Sequence, residues 1–122
     1  MYPDLQFITT ADGSKTIFHA GVGENYHSRH GALQESTHVF LNSGLRFYLA
    51  GAGFERVSIL EVGFGTGLNL LLSADYCEPR KIALNYTGIE AYPLPAEMIC
   101  QTGYHEYIPQ NLWTGFNRQY TE

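Results

Sequence analysis

Apolar and polar positions alternate in blocks along this chain, and the blocks predict its elements. Leu5, Phe7 and Ile8, then Thr16, Ile17 and Phe18, flank the polar stretch Ala11-Asp12-Gly13-Ser14. Asp-Gly between two β-rich runs predicts a hairpin over residues 5–20. Residues 21–31 are polar and read as a structured loop. Leu33, Val39, Phe40 and Leu41 form a mostly one-sided apolar pattern, which predicts a helix over 33–41. Asn42-Ser43-Gly44 is its expected stop, with a short second helix over 45–49. Residues 56–62 are almost all apolar after Ser58, the pattern of a parallel strand covered by helices on both faces. Gly63, Gly65 and Gly67 come next, and Leu68 to Leu72 open a helix that runs to Asp75 before Cys77-Glu78-Pro79 closes it. Residues 82–89 read as a second parallel strand. Pro93 and Pro95 start another helix, to about Thr102, with Met98 and Ile99 facing inward. The tail carries Tyr104, Tyr107, Leu112, Trp113 and Phe116, apolar enough to need a partner surface, and 111–120 fits a final helix.

Strand, glycine turn, helix and strand in succession predict an α/β fold. The glycine turn carries the chemistry. Glycine reaches backbone angles closed to other residues and lets a ligand lie against the main chain. The helix start beyond it offers unpaired N–H groups and the positive end of a dipole. A dinucleotide fingerprint needs a third glycine where Leu68 stands, and a P-loop needs Lys-Ser/Thr where Leu68 and Asn69 stand. An acid two residues before the first glycine, Glu61, suits a cofactor bearing an ammonium and a sulfonium and suits a pyrophosphate badly. Glu90 ends the second strand, where a carboxylate can accept hydrogen bonds from ribose hydroxyls. These two acids favour an S-adenosylmethionine site over an unliganded glycine turn.

Glu61-Val-Gly-Phe-Gly-Thr-Gly67 resembles motif I of class I methyltransferases. Gly31-Ala-Leu-Gln-Glu-Ser-Thr-His-Val-Phe-Leu41 is similar to a Gly-x-x-Glu-Thr-x-x-Val-Phe-Leu segment of one family among them, and Glu90-Ala-Tyr-Pro-Leu94 to its Glu-x-x-Pro-Leu. That family completes 5-methylaminomethyl-2-thiouridine at the tRNA wobble position, alone or fused to an FAD-dependent oxidase. The resemblance runs over roughly residues 5–120. It implies a Rossmann-like three-layer sandwich with an N-terminal β-hairpin, binding S-adenosylmethionine and methylating the aminomethyl group of the modified uridine. It implies cofactor contacts from Glu61 at the methionine end, Gly63, Gly65 and Gly67 along the backbone, Phe64 and Thr66 within the loop, and Glu90 at the ribose. Tyr26, Ser28 and Glu35 are further carry-overs; Glu35 reads equally as a solvated helix acid. No residue is assigned as the catalytic base.

Composition changes this picture in three ways. The net charge is −5, with Arg80-Lys81 the one adjacent cationic pair. Phosphate contacts dominate RNA affinity, so much of the tRNA surface is expected elsewhere. At 122 residues the chain supplies two strands of the seven-stranded sheet that the resemblance implies. The expectation is therefore the truncated N-terminal part of one domain, with residues 1–55 as hairpin and helical lead-in and 56–122 as the first βαβα. A non-catalytic nucleotide-binding module is the alternative, and a dinucleotide oxidoreductase is a weaker one. Finally, Cys77 and Cys100 read as reduced core thiols of a cytoplasmic protein. The five histidines match no zinc spacing, so no metal is expected. No apolar run approaches the ~20 residues of a membrane span.

Overall fold

The computed structural model describes residues 4–51 and 53–121; residues 1–3, Ala52 and Glu122, which the sequence places within the domain, lie outside the described residues. The hairpin forms from β1 (Leu5–Thr9) and β2 (Lys15–His19), antiparallel in register from Leu5↔His19 to Thr9↔Lys15. The polar loop adds a short third strand, β3 (Glu24–Asn25), against β2.

The hairpin turn also caps a helix. The first N–H groups of α1 (Ala32–Glu35) have no intrahelical partner, and Gly31 before them has no side chain to offer. Three side chains of the turn substitute. Ala32 N donates to Thr10 Oγ1 (3.0 Å), Leu33 N to Ser14 Oγ (2.9 Å) and Gln34 N to Asp12 Oδ2 (2.8 Å). A Cβ on Gly31 would lie 2.6 Å from Asp12 Oδ2, so glycine there makes room for the carboxylate.

α1 does not stop at Asn42-Ser43-Gly44, as the stop signal predicts. It continues as a π-helical segment, Ser36–Arg46, and the short second helix is part of the same run. Tertiary packing overrides the local signal. Leu45 is buried against Val57 and Cys77, flanked by Leu41 and Leu49. A π-helix turns about once in 4.4 residues, so leucines four apart stay on one side, and ending the helix at Gly44 would expose Leu45 and Leu49. Ser43 Oγ donates to His38 O (2.9 Å), spanning the wide turn.

β4 (Arg56–Val62) and β5 (Ala83–Ile89) pair in parallel from Arg56↔Ala83 to Val62↔Ile89, joined by α2 (Leu68–Cys77). Val57, Ile59 and Leu84 face the helices, where Leu41, Leu45, Tyr76 and Cys77 meet them. The opposite face of α2 supplies Leu68, Leu71 and Leu72 to a second cluster with Ile17, Ala32, Leu94, Ile99, Tyr104, Ile108 and Trp113. The tail thus finds its partner surface within the chain. α3 (Ala96–Cys100), a 3₁₀ turn (Tyr104–Glu106) and α4 (Gln110–Thr121) close over α2 and the hairpin. Of the two cysteines, only Cys77 is a core thiol; Cys100 is exposed, and its Sγ donates to Asn117 Oδ1 (3.1 Å). No helix of the described residues is long and apolar enough to cross a membrane.

The apolar run of β4 predicts cover on both faces, and the described residues cover one. Leu60 is 64% exposed, Val62 79% and Ile89 51%, side by side on the other face. A bare apolar patch on a parallel sheet drives association. Purified chain is expected to self-associate with rising concentration, and Leu60→Lys with Val62→Lys to shift sedimentation toward the monomer without loss of secondary structure. Wild-type chain that stays monomeric up to its solubility limit would contradict this.

Candidate cofactor-binding site

The glycine turn hangs from the end of the sheet. Gly63 N and Phe64 N both donate to Ile89 O (2.8 and 3.2 Å), which fixes the chain as it leaves β4. Gly63, Gly65 and Gly67 have φ of 85°, 58° and 84°, a region that disfavours side chains. Gly67 has a second reason. A Cβ there would lie 2.8 Å from Phe116 Cζ, because α4 packs its aromatic face onto the loop. Phe64 stacks on Tyr120 (6.3 Å between centroids, 15° between planes), extending that face to the turn.

Beside the turn lies a cleft of about 250 Å³. This is below the ~300–1,000 Å³ of small-molecule sites, so a ligand seated in it would extend past its mouth. Of the residues singled out in the sequence, Tyr26, Glu35, Glu61, Gly63, Phe64 and Gly65 line the cleft. Ser28, Thr66, Gly67 and Glu90 are not among its lining residues. Thr66 is buried, and its Oγ1 meets the Tyr104 hydroxyl (3.2 Å). Glu90 Oε1 accepts from Gly65 N (2.8 Å) and Oε2 from Tyr92 N (3.2 Å), so the carboxylate latches the loop. Ser28 N donates to Glu35 Oε1 (3.2 Å), tying the polar loop to α1.

The structure adds His27, Ser36, Val39, Phe40 and Asn69 to the lining. Val39 and Phe40 were legible as apolar helix positions but not as cleft walls. His27 Nδ1 pairs with buried Thr16 Oγ1 (2.7 Å), a contact across eleven residues that no local pattern encodes. Burial lowers the His27 pKa, against the pull of nearby Glu35, and so favours the neutral ring. Burial raises the Tyr26 pKa, and the charge of Glu90 adds to it.

The donor set of the cleft is therefore acidic. Glu61 and Glu35 bring carboxylates, no Lys or Arg among the described residues lines it, and its histidine is held toward neutrality. Tyr86 and Asn69 both donate to Glu61, to Oε1 (2.5 Å) and Oε2 (2.7 Å) respectively. Burial, with the Glu61 hydrogen bond and charge, pushes the Tyr86 phenol far above its ordinary range, so it stays a donor. Gly63 leaves open space where a Cβ would stand. Backbone open to a ligand, with carboxylates and no fixed cation beside it, fits a cationic nucleoside such as S-adenosylmethionine and repels a phosphate.

A parallel strand, a glycine turn and a helix, with an acid before the turn and another ending the next strand, make up the Rossmann-like α/β fold of class I methyltransferases. Within that class the chain resembles the N-terminal part of the methyltransferase of the MnmC family. It is 41% identical over 80 residues, 61% of its length, to the tRNA 5-methylaminomethyl-2-thiouridine biosynthesis bifunctional protein MnmC of Pseudomonas paraeruginosa. It is 32% identical over 117 residues, 85% of its length, to the protein of the same name from Polaromonas naphthalenivorans. Its fold matches the crystal structure of MnmC2 from Aquifex aeolicus with a TM-score of 0.65 and 34% identity, over 75% of this chain. The matched part spans 12% and 18% of the two MnmC proteins and 31% of the MnmC2 chain. No family model matches the chain.

Proposed function

We propose that this chain is the cofactor-binding part of a tRNA methyltransferase, acting on the aminomethyl group of a modified wobble uridine with S-adenosylmethionine as methyl donor. The observation that carries the reading is the acidic cleft at the glycine turn, with the Glu61 carboxylate on its wall. The substrate class comes from the relatives, whose names specify tRNA 5-methylaminomethyl-2-thiouridine biosynthesis.

In this reading Gly63, Phe64 and Gly65 present backbone to the cofactor, and Glu61 meets its methionine end. Tyr26 and Glu35 close the side toward the polar loop. Gly67 and Thr66 shape the turn from behind. Glu90 holds the turn through Gly65 N, and the acceptor sites its oxygens keep beyond that bond are what a ribose hydroxyl would meet. Ser28 acts through Glu35. When bound, the cofactor supplies an electrophilic methyl group. The contribution of these residues is alignment, keeping acceptor amine and methyl carbon in line with the leaving sulfur. The acceptor amine must be neutral to attack, and a base must take its proton; none of the cleft residues is assigned that role. With a net charge of −5, the chain leaves much of the grip on tRNA phosphates to another surface. An FAD-dependent oxidase, as a fused domain or separate protein, is the expected functional partner in the cytoplasm. In this reading the chain up to residue 55 is the lead-in, and the βαβα that starts at residue 56 belongs to the methyltransferase domain.

A second reading, a cofactor-binding module without catalysis of its own, is favoured by the bare sheet face at Leu60, Val62 and Ile89. Methyl transfer by this chain, compared with a version extended at the C-terminus, separates the two.

Calorimetric titration with S-adenosylhomocysteine tests the site. Binding is expected, with NADH failing to bind, and Glu61→Gln should weaken it by about 1.5–3 kcal/mol, the worth of a hydrogen bond to a charged partner. A folded chain that binds NADH, or that binds S-adenosylhomocysteine equally well as Glu61→Gln, would sink the assignment.

A further inference from the structure

Glu61 does not stand free at the wall of the cleft. Two elements hold its carboxylate: the Tyr86 hydroxyl, from β5, donates to Oε1 (2.5 Å), and Asn69 Nδ2, from the first turn of α2, donates to Oε2 (2.7 Å). The strand register permits this. Tyr86 is paired with Ile59 and Gly88 with Glu61, so no side chain of β5 stands directly across from the carboxylate. The space at Gly88 is taken by Phe64, whose Cδ2 would lie 2.4 Å from a Cβ there.

The orientation of Asn69 is settled by chemistry. A carboxylate only accepts, so the amide must turn its NH₂ toward Glu61. Its Oδ1 is then left buried with no partner among the described residues. An orphaned acceptor costs stability, so this arrangement fixes Glu61 at the expense of the fold. Each carboxylate oxygen, holding one donor, keeps a further acceptor site.

We propose that Tyr86 and Asn69 are positioning residues that hold the Glu61 carboxylate toward the cleft, where it reads a cationic ammonium on the ligand. This deepens the cofactor reading above and rests on it. The competing role is purely mechanical: the same two bonds staple β4, β5 and α2 together. The two roles differ in what they do to ligand preference.

The test is titration of the full chain with S-adenosylhomocysteine, which carries the ammonium, and with 5′-methylthioadenosine, which lacks the amino-acid end. Wild type should prefer the former. Tyr86→Phe and Asn69→Ser should each cut that preference about tenfold, the worth of one charge-assisted hydrogen bond, and leave 5′-methylthioadenosine affinity within about twofold. Glu61→Gln should reduce the preference likewise, and Tyr86→Phe added to it should reduce it no further. Equal weakening of both ligands, or an unchanged preference, would overturn the inference and leave the cofactor site standing. Failure of wild type to bind either ligand would overturn the cofactor reading and this inference with it. Asn69→Ser lies on a separate element from Tyr86→Phe, so it carries the test if the strand variant fails to fold.

Discussion

Tyr104→Ala should cost the fold about 3–5 kcal/mol, the range for emptying a large aromatic site in a core. Tyr104 is 1% exposed and sits where three parts of the chain meet. Its ring packs in the cluster that α2, the hairpin and the tail share. Its hydroxyl is shared between Lys15 O (2.8 Å) on β2 and Thr66 Oγ1 (3.2 Å) in the glycine turn. Against a domain stability of ~5–15 kcal/mol, the loss is a large fraction of the whole. Tyr104→Phe keeps the ring and should cost about 1–2 kcal/mol, since Lys15 O and Thr66 lose a partner in a buried place. Urea denaturation of the two variants separates packing from hydrogen bonding. A loss below about 1 kcal/mol for Tyr104→Ala would mean that the tail does not hold the turn. Burial pushes the Tyr104 pKa up to about 12, with the Thr66 contact pulling the other way. The unfolded phenol ionises near 10, so this group's contribution to stability should fall as the pH rises from 10 toward 12.

Asp12→Ala should cost about 2 kcal/mol, the upper range for a lost helix cap, because one carboxylate serves both turn and helix. It accepts from the Thr10 hydroxyl (2.8 Å), Ser14 N (2.9 Å), the Ser14 hydroxyl (2.5 Å) and Gln34 N (2.8 Å). Partial burial alone would raise its pKa. The bonds from Ser14, Gln34 and Thr10 outweigh that and lower it from 3.8 to about 2. A folded pKa below the unfolded one means that the ionised form stabilises the fold. The stabilisation is complete above about pH 4 and is lost as the pH falls toward 2. Asp12 is largely exposed, so solvent screening limits the pH-dependent part to about 1 kcal/mol. Wild type minus Asp12→Asn, followed by thermal melting between pH 5 and 2, isolates it from the other acids. Parallel pH curves for the two proteins would refute the assignment.

Much of the fold follows from local signals. Asp12-Gly13 marked the hairpin turn because glycine takes its positive φ there without strain. The apolar runs marked β4 and β5, since both are strands of seven residues bounded by turns. The helix expected over 111–120 forms and extends by a residue at each end. The glycine turn, and the acids Glu61 and Glu90 beside it, are adjacent in sequence to the strands that present them. For that reason their place at the sheet end is legible in the sequence.

Contacts across distant parts of the chain decided the rest. The stop at Asn42-Ser43-Gly44 failed because Leu45 and Leu49 gain more by burial than the turn residues gain by ending the helix. Asp12 as a cap for α1 joins residues 22 apart, and Tyr104 on Lys15 O joins residues 89 apart. Glu90 was legible as an acid at a strand end, but its bond to Gly65 N depends on how the turn folds back over β5. The bare face of β4 could not be read from an apolar run, which is the same whether one face is covered or both. By itself the sequence determined the strand–turn–helix unit and the acids that flank it, because those are set by backbone preference and by burial period. Only the tertiary structure decided which side chains converge on Glu61, because Tyr86 and Asn69 reach it through strand register and helix placement, which no local pattern carries.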